Sequence, residues 1–400
     1  MARTARVEVF AADEVAIVHV MNRTVRRCFL LGDDPVTGEN YDHRKQWIDE
    51  QLIHQAKHFG IDLLCQAILS NHFHLVLRSR PDVVAEWSDE EVARRWLMLC
   101  PVRRDEKRRP LPPSEPELNS IVNDKDRLAS IRSRLSDISW WMRLLSQNIA
   151  QRANKDDGEV GKFWQARYRG VRLIDETAIL ACAAYVDLNP IRAAIAETIE
   201  GSDYTSGQKR AAELARRRGN AESGQRQGGE EQSGRGLAPC RSNGVSGKGP
   251  CGGANAGSGG QCPPCEDSGG RSAQRTLLSA RHLAPVELRE RTKDPGPDLN
   301  KRGTRCSNKG FLPMSTADYL TLLDWTARRI RPGKRGSTPK ELAPIFRRLG
   351  ISEKTWIEMI QNFGRLFSVV AGLPKRVDEF RSKGRQARFH LRKSARELLG

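Results

Sequence analysis

The stretch between Thr205 and Gly310 contains no Phe, Trp or Tyr, and this gap limits what the chain can fold into. Almost half of the 34 glycines lie between Gly219 and Gly270, in text such as GVSGKGPCGGANAGSGGQCPPC. Such a composition buries too little apolar surface to offset the entropy lost on ordering. The sequence therefore predicts three parts: a folded domain over 10–205, a glycine-rich disordered linker over 206–310, and a small, mainly helical domain over 311–400.

The chain is strongly basic, with 67 Lys and Arg against 49 Asp and Glu and a formal net charge of +18. An excess of this sign suits a polyanionic partner, and nucleic acid is the first candidate, although membrane-surface and ribosome-associated proteins share it. No apolar run is long enough to span a bilayer, and the first residues lack a signal-peptide pattern. We therefore expect no membrane partner, a cytoplasmic, nucleoid-associated protein, and cysteines that are thiols rather than disulfides.

The first domain alternates between strand and helix patterns in an order typical of an α+β fold. Strands are predicted over 15–22, 61–69, 72–78 and 163–174. Helices are predicted from Tyr41 to Gly60, along the apolar stripe from Ile131 to Ile149, and after the capping residue Asp175. The charged, proline-containing excursion over about 86–128 is interpreted as a surface insertion. This order predicts an antiparallel sheet with helices packed on one face.

Two histidines stand one residue apart in SNHFHLV, Ser70–Val76, and the chain contains only 8. Because side chains alternate between the faces of a strand, His72 and His74 are expected on one face, with Phe73 and Leu75 on the other. Two imidazoles on one face can hold a metal ion. They can also be half-buried residues that hydrogen-bond to their neighbours, and the residues alone leave both interpretations open.

Three motifs, SNHFHLV, FWQARYRG and AAYVDLNPIRAAIA, together resemble those of the single-tyrosine HUH transposases. The resemblance is closest to the REP-associated tyrosine transposases and their insertion-sequence relatives, and it covers about half of the chain, residues 15–204. It implies an HUH-type, ferredoxin-like fold. It also implies an enzyme that cleaves and rejoins single-stranded DNA at hairpin-forming sequences through a covalent 5′-phosphotyrosine intermediate.

The same resemblance implies a set of site residues. His72 and His74 would bind a divalent cation, Mg²⁺ or Mn²⁺, and Tyr185, in the helix before an Asn-Pro pair, would be the nucleophile. Asn189, four residues after Tyr185, would complete the metal site. Residues four apart share one face of a helix, which agrees with this role. Asn189 followed by Pro190 is equally the pattern of a helix N-terminus.

DNA contacts are expected from basic and aromatic residues around the predicted fourth strand and the Asn-Pro pair: Arg167, Arg169, Arg172, Arg192 and Tyr168. Trp164 is interpreted either as a stacking residue or as part of the core. Relatives of this kind occur as dimers that share active sites and as monomers, so a homodimer and a monomer both stay open.

Two other functions compete with the transposase. A domesticated or decayed relative would keep the fold and bind DNA hairpins without cleaving them, and a zinc hydrolase would use His72 and His74 but lacks a third strong ligand. Two further patterns are weaker. The short helices around Gly350 fit a helix-turn-helix and a plain bundle equally well. The linker cysteines form no familiar zinc motif: Cys240, Cys251, Cys262 and Cys265.

Overall fold

The computed structural model describes residues 13–107, 109–230, 279–288, 297–331, 339–382 and 389–400, except for the side chains of 221–230 and Glu341. The chain forms two compact units, one made of Met1–Leu214 with Leu277–Gly400 and the other of Ala215–Thr276. The described part of the second unit, 215–230, is helical. The sheet and the sites below all belong to the first unit. Most of the glycine-rich stretch and its four cysteines lie outside the described residues.

A five-stranded sheet in the order β2-β3-β1-β4-β5 forms the centre of the first unit. Its strands are β1 Ile17–Arg23, β2 Ile61–Ile68, β3 His72–Ser79, β4 Arg169–Leu173 and β5 Val370–Ala371. The first four pair antiparallel, and the short β5 pairs parallel to β4. The α+β class is therefore confirmed, and the C-terminal residues add an edge strand that the sequence did not predict.

Helices surround this sheet, and two short 3-10 turns lie at Val25–Arg27 and Lys340–Leu342. The helices are α1 His43–His58, α2 Pro81–Ala85, α3 Asp89–Leu99, α4 Glu115–Val122, α5 Lys125–Leu135, α6 Ile138–Asp157, α7 Glu176–Asp187, α8 Asn189–Arg192, α9 Ser206–Glu230, α10 Thr316–Ile330, α11 Ala343–Leu349, α12 Glu353–Leu366, α13 Pro374–Ser382 and α14 Lys393–Leu399. Nearly every residue of β2 and β3 is buried. The sheet is thus covered on both faces, whereas the sequence predicted helices on one.

The segment 86–128, interpreted as a surface insertion, is folded, and α3, α4 and α5 build a second apolar cluster. Val92, Ile121, Leu128 and Ile131 are almost completely buried within it. These apolar residues form a small core of their own. Charged residues separate them in the sequence, so the core was not predicted.

The predicted helix from Ile131 to Ile149 is two helices. The first helix ends before Ser136. The Asp137 carboxylate then caps α6 by accepting a hydrogen bond from the Ser139 amide at 2.6 Å. The apolar stripe continues across the break because both helices face the interior. A periodic stripe therefore predicts the buried face but does not locate a capped break.

Residues 279–288 and 297–310 of the predicted linker are packed, and this part of the linker prediction is wrong. The Ala284 amide donates to the Leu63 carbonyl at 2.9 Å, which extends the hydrogen bonding of β2. Ser307 and two arginines surround the buried carboxylate of Asp62, with Arg78 at 2.6 Å. These polar and backbone contacts hold a segment that has no aromatic side chain.

Residues 311–400 belong to the same compact unit as the sheet and are not a separate domain. The buried carboxylate of Asp187, at the end of α7, accepts from the Tyr319 hydroxyl of α10 at 2.7 Å and from the Gly207 amide at 2.8 Å. It also accepts from the Ser206 hydroxyl. One side chain thereby joins α7, α9 and α10.

Two expectations from composition can be compared with the described residues. None of their helices has the length and the apolar content needed to cross a membrane. All five cysteines in this part of the chain are free thiols, as predicted: Cys28, Cys65, Cys100, Cys182 and Cys306.

Replacing Tyr319 by Phe should lower the free energy of unfolding by about 1–2 kcal/mol, because Asp187 loses a buried hydrogen-bond donor. Chemical denaturation followed by circular dichroism measures this loss. Tyr204→Phe is a matched control, since the Tyr204 hydroxyl has no hydrogen bond among the described residues, and its effect should stay below about 0.5 kcal/mol. Equal losses in the two variants would contradict a role for the Tyr319 bond.

Candidate active site

Three histidine rings lie together on one face of the sheet. His72 and His74 of β3 have ring centroids 5.0 Å apart, as the alternation of a strand predicts. The third ring is His19 of β1, whose centroid lies 5.1 Å from that of His74. The antiparallel pairing of β1 with β3 brings it there. Met21 is paired with His74, and His19 lies two residues before Met21, on the same face of β1.

Hydrogen bonds orient two of these rings. The Asn71 side-chain carbonyl lies 2.6 Å from Nδ1 of His72, so this nitrogen is the donor and Nε2 keeps its lone pair. Nδ1 of His74 lies 2.9 Å from Nε2 of His19. When His74 is the donor, its own Nε2 is likewise free to bind a ligand, and His19 takes the orienting role that partners of metal-binding histidines have.

All three imidazoles are neutral at physiological pH. Burial lowers the pKa of His19 to about 3, with a smaller contribution from Arg169, and lowers that of His72 to about 4, assisted by Arg23. The pKa of His74 is also well below its ordinary value, through burial and then the neighbouring histidines. Neutral imidazole is the form that binds metal ions.

Among the residues described by the structure, no group of three or more His, Cys, Asp or Glu side chains is arranged to hold a metal ion. A cation here would therefore bind to the two nitrogens of His72 and His74 and complete its coordination with amide, water or phosphate oxygens. Such a mixed set suits Mg²⁺ or Mn²⁺ better than a closed zinc site. The donor set fits an open divalent-cation site.

Tyr185 of α7 lies against this cluster. Its ring centroid is 5.4 Å from that of His74 and 5.9 Å from that of His19, and the rings meet edge to face. Asp175 begins the helix as its N-cap by accepting from the Ala178 amide at 2.8 Å, as predicted. Within the described part of the chain, the Tyr185 hydroxyl makes no hydrogen bond.

The surroundings of Tyr185 are basic. The guanidinium carbon of Arg192 lies 4.4 Å from the centroid of its ring. Tyr185 also borders a small cavity, and Arg169 is part of the lining of that cavity. No carboxylate is among the lining residues, which are His19, Met21, His74, Arg169, Val171, Tyr185, Phe363, Gly364 and Phe367. A cavity of this composition favours an anion beside the phenol.

Helix α12 covers the cavity. The Phe363 ring centroid lies 5.3 Å from that of Tyr185, and a Cβ added to Gly364 would lie 3.3 Å from the Tyr185 hydroxyl oxygen. Arg192 donates to the Gln361 carbonyl at 2.8 Å, which ties the end of α8 to this helix. Tyr185 stays partly exposed beside α12, so the helix narrows the approach to its hydroxyl.

The other predicted site residues are more dispersed. Asn189 is buried at the start of α8, beyond the end of the Tyr185 helix, and is not among the residues that line the cavity. Arg172 is buried in an ion pair with Glu14, so it is placed as a structural residue rather than as a DNA contact. Tyr168 is also buried, with its hydroxyl 3.1 Å from that of Ser139.

Arg167 is exposed and lines a different groove from the one at Tyr185, between α6 and the segment before β4. Trp164 is partly buried against this groove, and its indole donates to the Ser146 carbonyl at 2.8 Å. Of the predicted site residues, His72, His74, Tyr185 and Arg192 are therefore brought together, with Arg169 at the cavity wall.

Two contributions to the site were missed from the sequence. His19 stands in the apolar run VAIVHVMN, and a polar ring in a predicted strand was a usable signal. Phe363 and Gly364 carried no such signal, because their contact with Tyr185 depends on how the C-terminal part packs.

Comparisons with known proteins add little. No protein-family model matches the chain, and no curated protein matches it. A solved structure of a REP-associated tyrosine transposase bound to a REP hairpin is similar, with a TM-score of 0.31 and 11% sequence identity. The likeness covers 53% of this chain and 86% of that one. At this level of similarity, function must be argued from the geometry of the site itself.

Replacing Phe363 by Ala should expose more of the partly buried Tyr185 to solvent reagents, because the Phe363 ring packs beside it. Nitration with tetranitromethane, followed by peptide mapping, should show faster modification of Tyr185 than in the unmodified chain. The substitution costs about 3–5 kcal/mol, so Tyr319, which is completely buried, serves as an internal control for unfolding. If Tyr185 is nitrated at an unchanged rate while Tyr319 stays protected, Phe363 does not shield Tyr185.

Proposed function

We propose that the protein cleaves and rejoins single-stranded DNA at hairpin-forming sequences, with Tyr185 as the nucleophile. The observation that carries the proposal is the position of Tyr185. Its hydroxyl makes no hydrogen bond among the described residues, and its ring lies against two neutral imidazoles and under the Arg192 guanidinium. A phenol placed beside positive charge and away from carboxylates is in an environment that favours binding of a phosphodiester.

In this function the Tyr185 oxygen attacks the scissile phosphorus, and a phosphorus–oxygen bond forms as the bond to the 3′ oxygen breaks. The phenol gives up its proton, and the departing oxygen takes one up and becomes a free 3′-hydroxyl. The 5′ phosphate stays on the tyrosine, so the bond energy is kept and the 3′-hydroxyl can later reverse the step. Arg192 would hold a phosphate oxygen near the phenol.

His72 and His74 would hold a divalent cation, Mg²⁺ or Mn²⁺, and Asn189 is the candidate for a further ligand. When bound, the cation would neutralise charge on the scissile phosphate and orient it. His19 would keep the ring of His74 in place through the Nδ1 hydrogen bond.

The nucleophile is tested with a single-stranded hairpin oligonucleotide and a divalent cation. We expect a covalent protein–DNA adduct that survives denaturing electrophoresis, with the DNA on the peptide that contains Tyr185. Tyr185→Phe should abolish the adduct, because no other phenol lies at the histidines, while hairpin binding stays close to that of the unmodified chain. Tyr204→Phe is the matched control and should cleave normally.

An adduct that persists in Tyr185→Phe, or that maps to Tyr168 or Tyr204, would refute the assignment. Cleavage without any adduct would mean that water attacks the phosphorus, as in a hydrolase. Both outcomes are read from the same gel and peptide map.

The cation site is tested separately, through Mn²⁺ binding measured by electron paramagnetic resonance. Tyr185→Phe protein with hairpin DNA is used, so that the DNA stays intact. His72→Ala and His74→Ala should each remove the binding, and His19→Gln should weaken it by about 10–100-fold because it loses an orienting partner. His43→Ala, an exposed histidine paired with Asp156, is the control and should bind Mn²⁺ normally. Unchanged Mn²⁺ affinity in the double variant of His72 and His74 would contradict the site.

One observation favours a second candidate, a non-catalytic protein of the same fold that binds DNA hairpins. Helix α12 covers part of Tyr185, and a protein that never cleaves has no need to uncover it. Hairpin binding without an adduct in both the unmodified chain and Phe363→Ala would support this candidate.

A further inference from the structure

Two further histidines lie together at the C-terminal end of α1, outside the cavity beside Tyr185. His54 and His58 are four residues apart, so their side chains project from one face of the helix in successive turns. Their ring centroids are 4.8 Å apart, close to the 5.0 Å that separates the rings of His72 and His74. The helix itself therefore brings two imidazoles together.

The separation of these two rings matches that of two imidazoles on one metal ion. Zinc–nitrogen bonds of about 2.0–2.1 Å at a near-tetrahedral angle place the ring centroids roughly 5 Å apart. The planes of the two rings are inclined at 57° to each other, so the pair is not a parallel stack. A separation of 4.8 Å thus fits a single ion held between His54 and His58.

A main-chain carbonyl fixes the tautomer of His54. Its Nε2 lies 3.0 Å from the carbonyl oxygen of Met98, in the last turn of α3, and this nitrogen is the donor because a carbonyl oxygen only accepts. Nδ1 then keeps its lone pair. Metal-binding imidazoles are commonly held in this way by a backbone carbonyl. The imidazole of His58 has no hydrogen-bond partner among the described residues, so either of its nitrogens can take the ligand position.

Both rings are neutral at physiological pH and partly open to solvent. Burial lowers the pKa of His58 to about 3, with smaller contributions from His54 and Arg95, and burial also lowers the pKa of His54. A charged histidine in the last turn of a helix is stabilised by the helix dipole, but a neutral ring gains little from that position. Neutral imidazole is instead the form that binds metal ions.

The charges around the pair determine which kind of ion fits. Lys57, Arg95 and Arg104 act on the two rings. Arg95 is paired with Glu91 at 2.7 Å, and Lys57 and Arg104 are exposed, where solvent and salt screen them. Mg²⁺ and Ca²⁺ take oxygen ligands, so two imidazoles among basic residues suit them poorly. Zn²⁺ and related transition-metal ions bind imidazole nitrogen directly.

We propose that His54 and His58 form a second metal site, which binds Zn²⁺ or a chemically similar transition-metal ion through two imidazole nitrogens and completes its coordination with water. The site does not depend on the function proposed for Tyr185, because neither histidine lines the cavity there. Since His54 also contacts the end of α3, a bound ion would brace α1 against the second apolar cluster.

The test follows the reactivity of individual histidines in the full chain, without DNA. Diethyl pyrocarbonate modifies neutral imidazole, and peptide mapping by mass spectrometry reports each histidine separately, so ions bound to cysteines elsewhere do not interfere. Zn²⁺ should protect His54 and His58 over the same concentration range, and Mg²⁺ should protect neither. The exposed His43 is an internal control whose reactivity should stay unchanged over that range.

Mutual dependence of the two histidines distinguishes chelation from binding to a single ring. In His58→Gln, protection of His54 should require more than about 100-fold more Zn²⁺, a larger loss than a metal site suffers when it loses only an orienting partner. His54→Gln should have the same effect on His58. His43→Gln is the matched control and should leave the protection of both histidines unchanged.

The proposal is overturned if Zn²⁺ leaves His54 and His58 fully reactive, or if His54 is protected at the same Zn²⁺ concentration in His58→Gln as in the unmodified chain. Equal protection by Mg²⁺ would also overturn it, because it would indicate general shielding of the surface rather than coordination by imidazole. Unfolding of one variant would make the buried His19 reactive in the same map, and the reciprocal variant then decides.

Discussion

The carboxylate of Asp187 is the interaction on which the arrangement of the site depends. It lies two residues after Tyr185, is buried, and accepts from a backbone amide, a serine hydroxyl and the Tyr319 hydroxyl. Because an acceptor taken out of water must satisfy its lone pairs within the protein, each of these donors is held in place. The end of α7, and Tyr185 with it, is therefore positioned by Ser206 and Gly207 of α9 and by Tyr319, which lies 132 positions later in the chain.

Local patterns predicted the parts of the fold that local energetics determine. The strands on either side of Ser70 and Asn71 and the helix that Asp175 caps follow from short stretches of sequence. Composition predicted disorder for Ser307 and its neighbours, and these residues are packed. It measures how much apolar surface a segment can bury, and this segment is held by hydrogen bonds to the buried Asp62 and Arg78 side chains and by backbone hydrogen bonds.

The same division applies to the candidate site. The spacing of a strand predicts that His72 and His74 share a face. The helical spacing predicted for Tyr185 and Asn189 spans two helices, because α7 ends at Asp187 and Asn189 begins α8. The position of His19 depends on the register of β1 against β3, and that of Phe363 on the docking of α12. Neither has a signature at the level of single elements, because both arise from pairings between segments far apart in the sequence.

The electrostatics of the site also constrain how its ligands bind. Arg23 and Arg192 contribute to the low pKa of the imidazoles, and the same positive charges would repel a cation held by His72 and His74. A phosphate oxygen beside the cation offsets this repulsion, because it is attracted to both the cation and the arginines. Cation and DNA are therefore expected to bind more tightly together than separately, and by linkage each raises the affinity for the other by the same factor. A cluster of neutral rings under arginines is thus better suited to a cation that arrives with a phosphodiester than to a permanently bound metal ion.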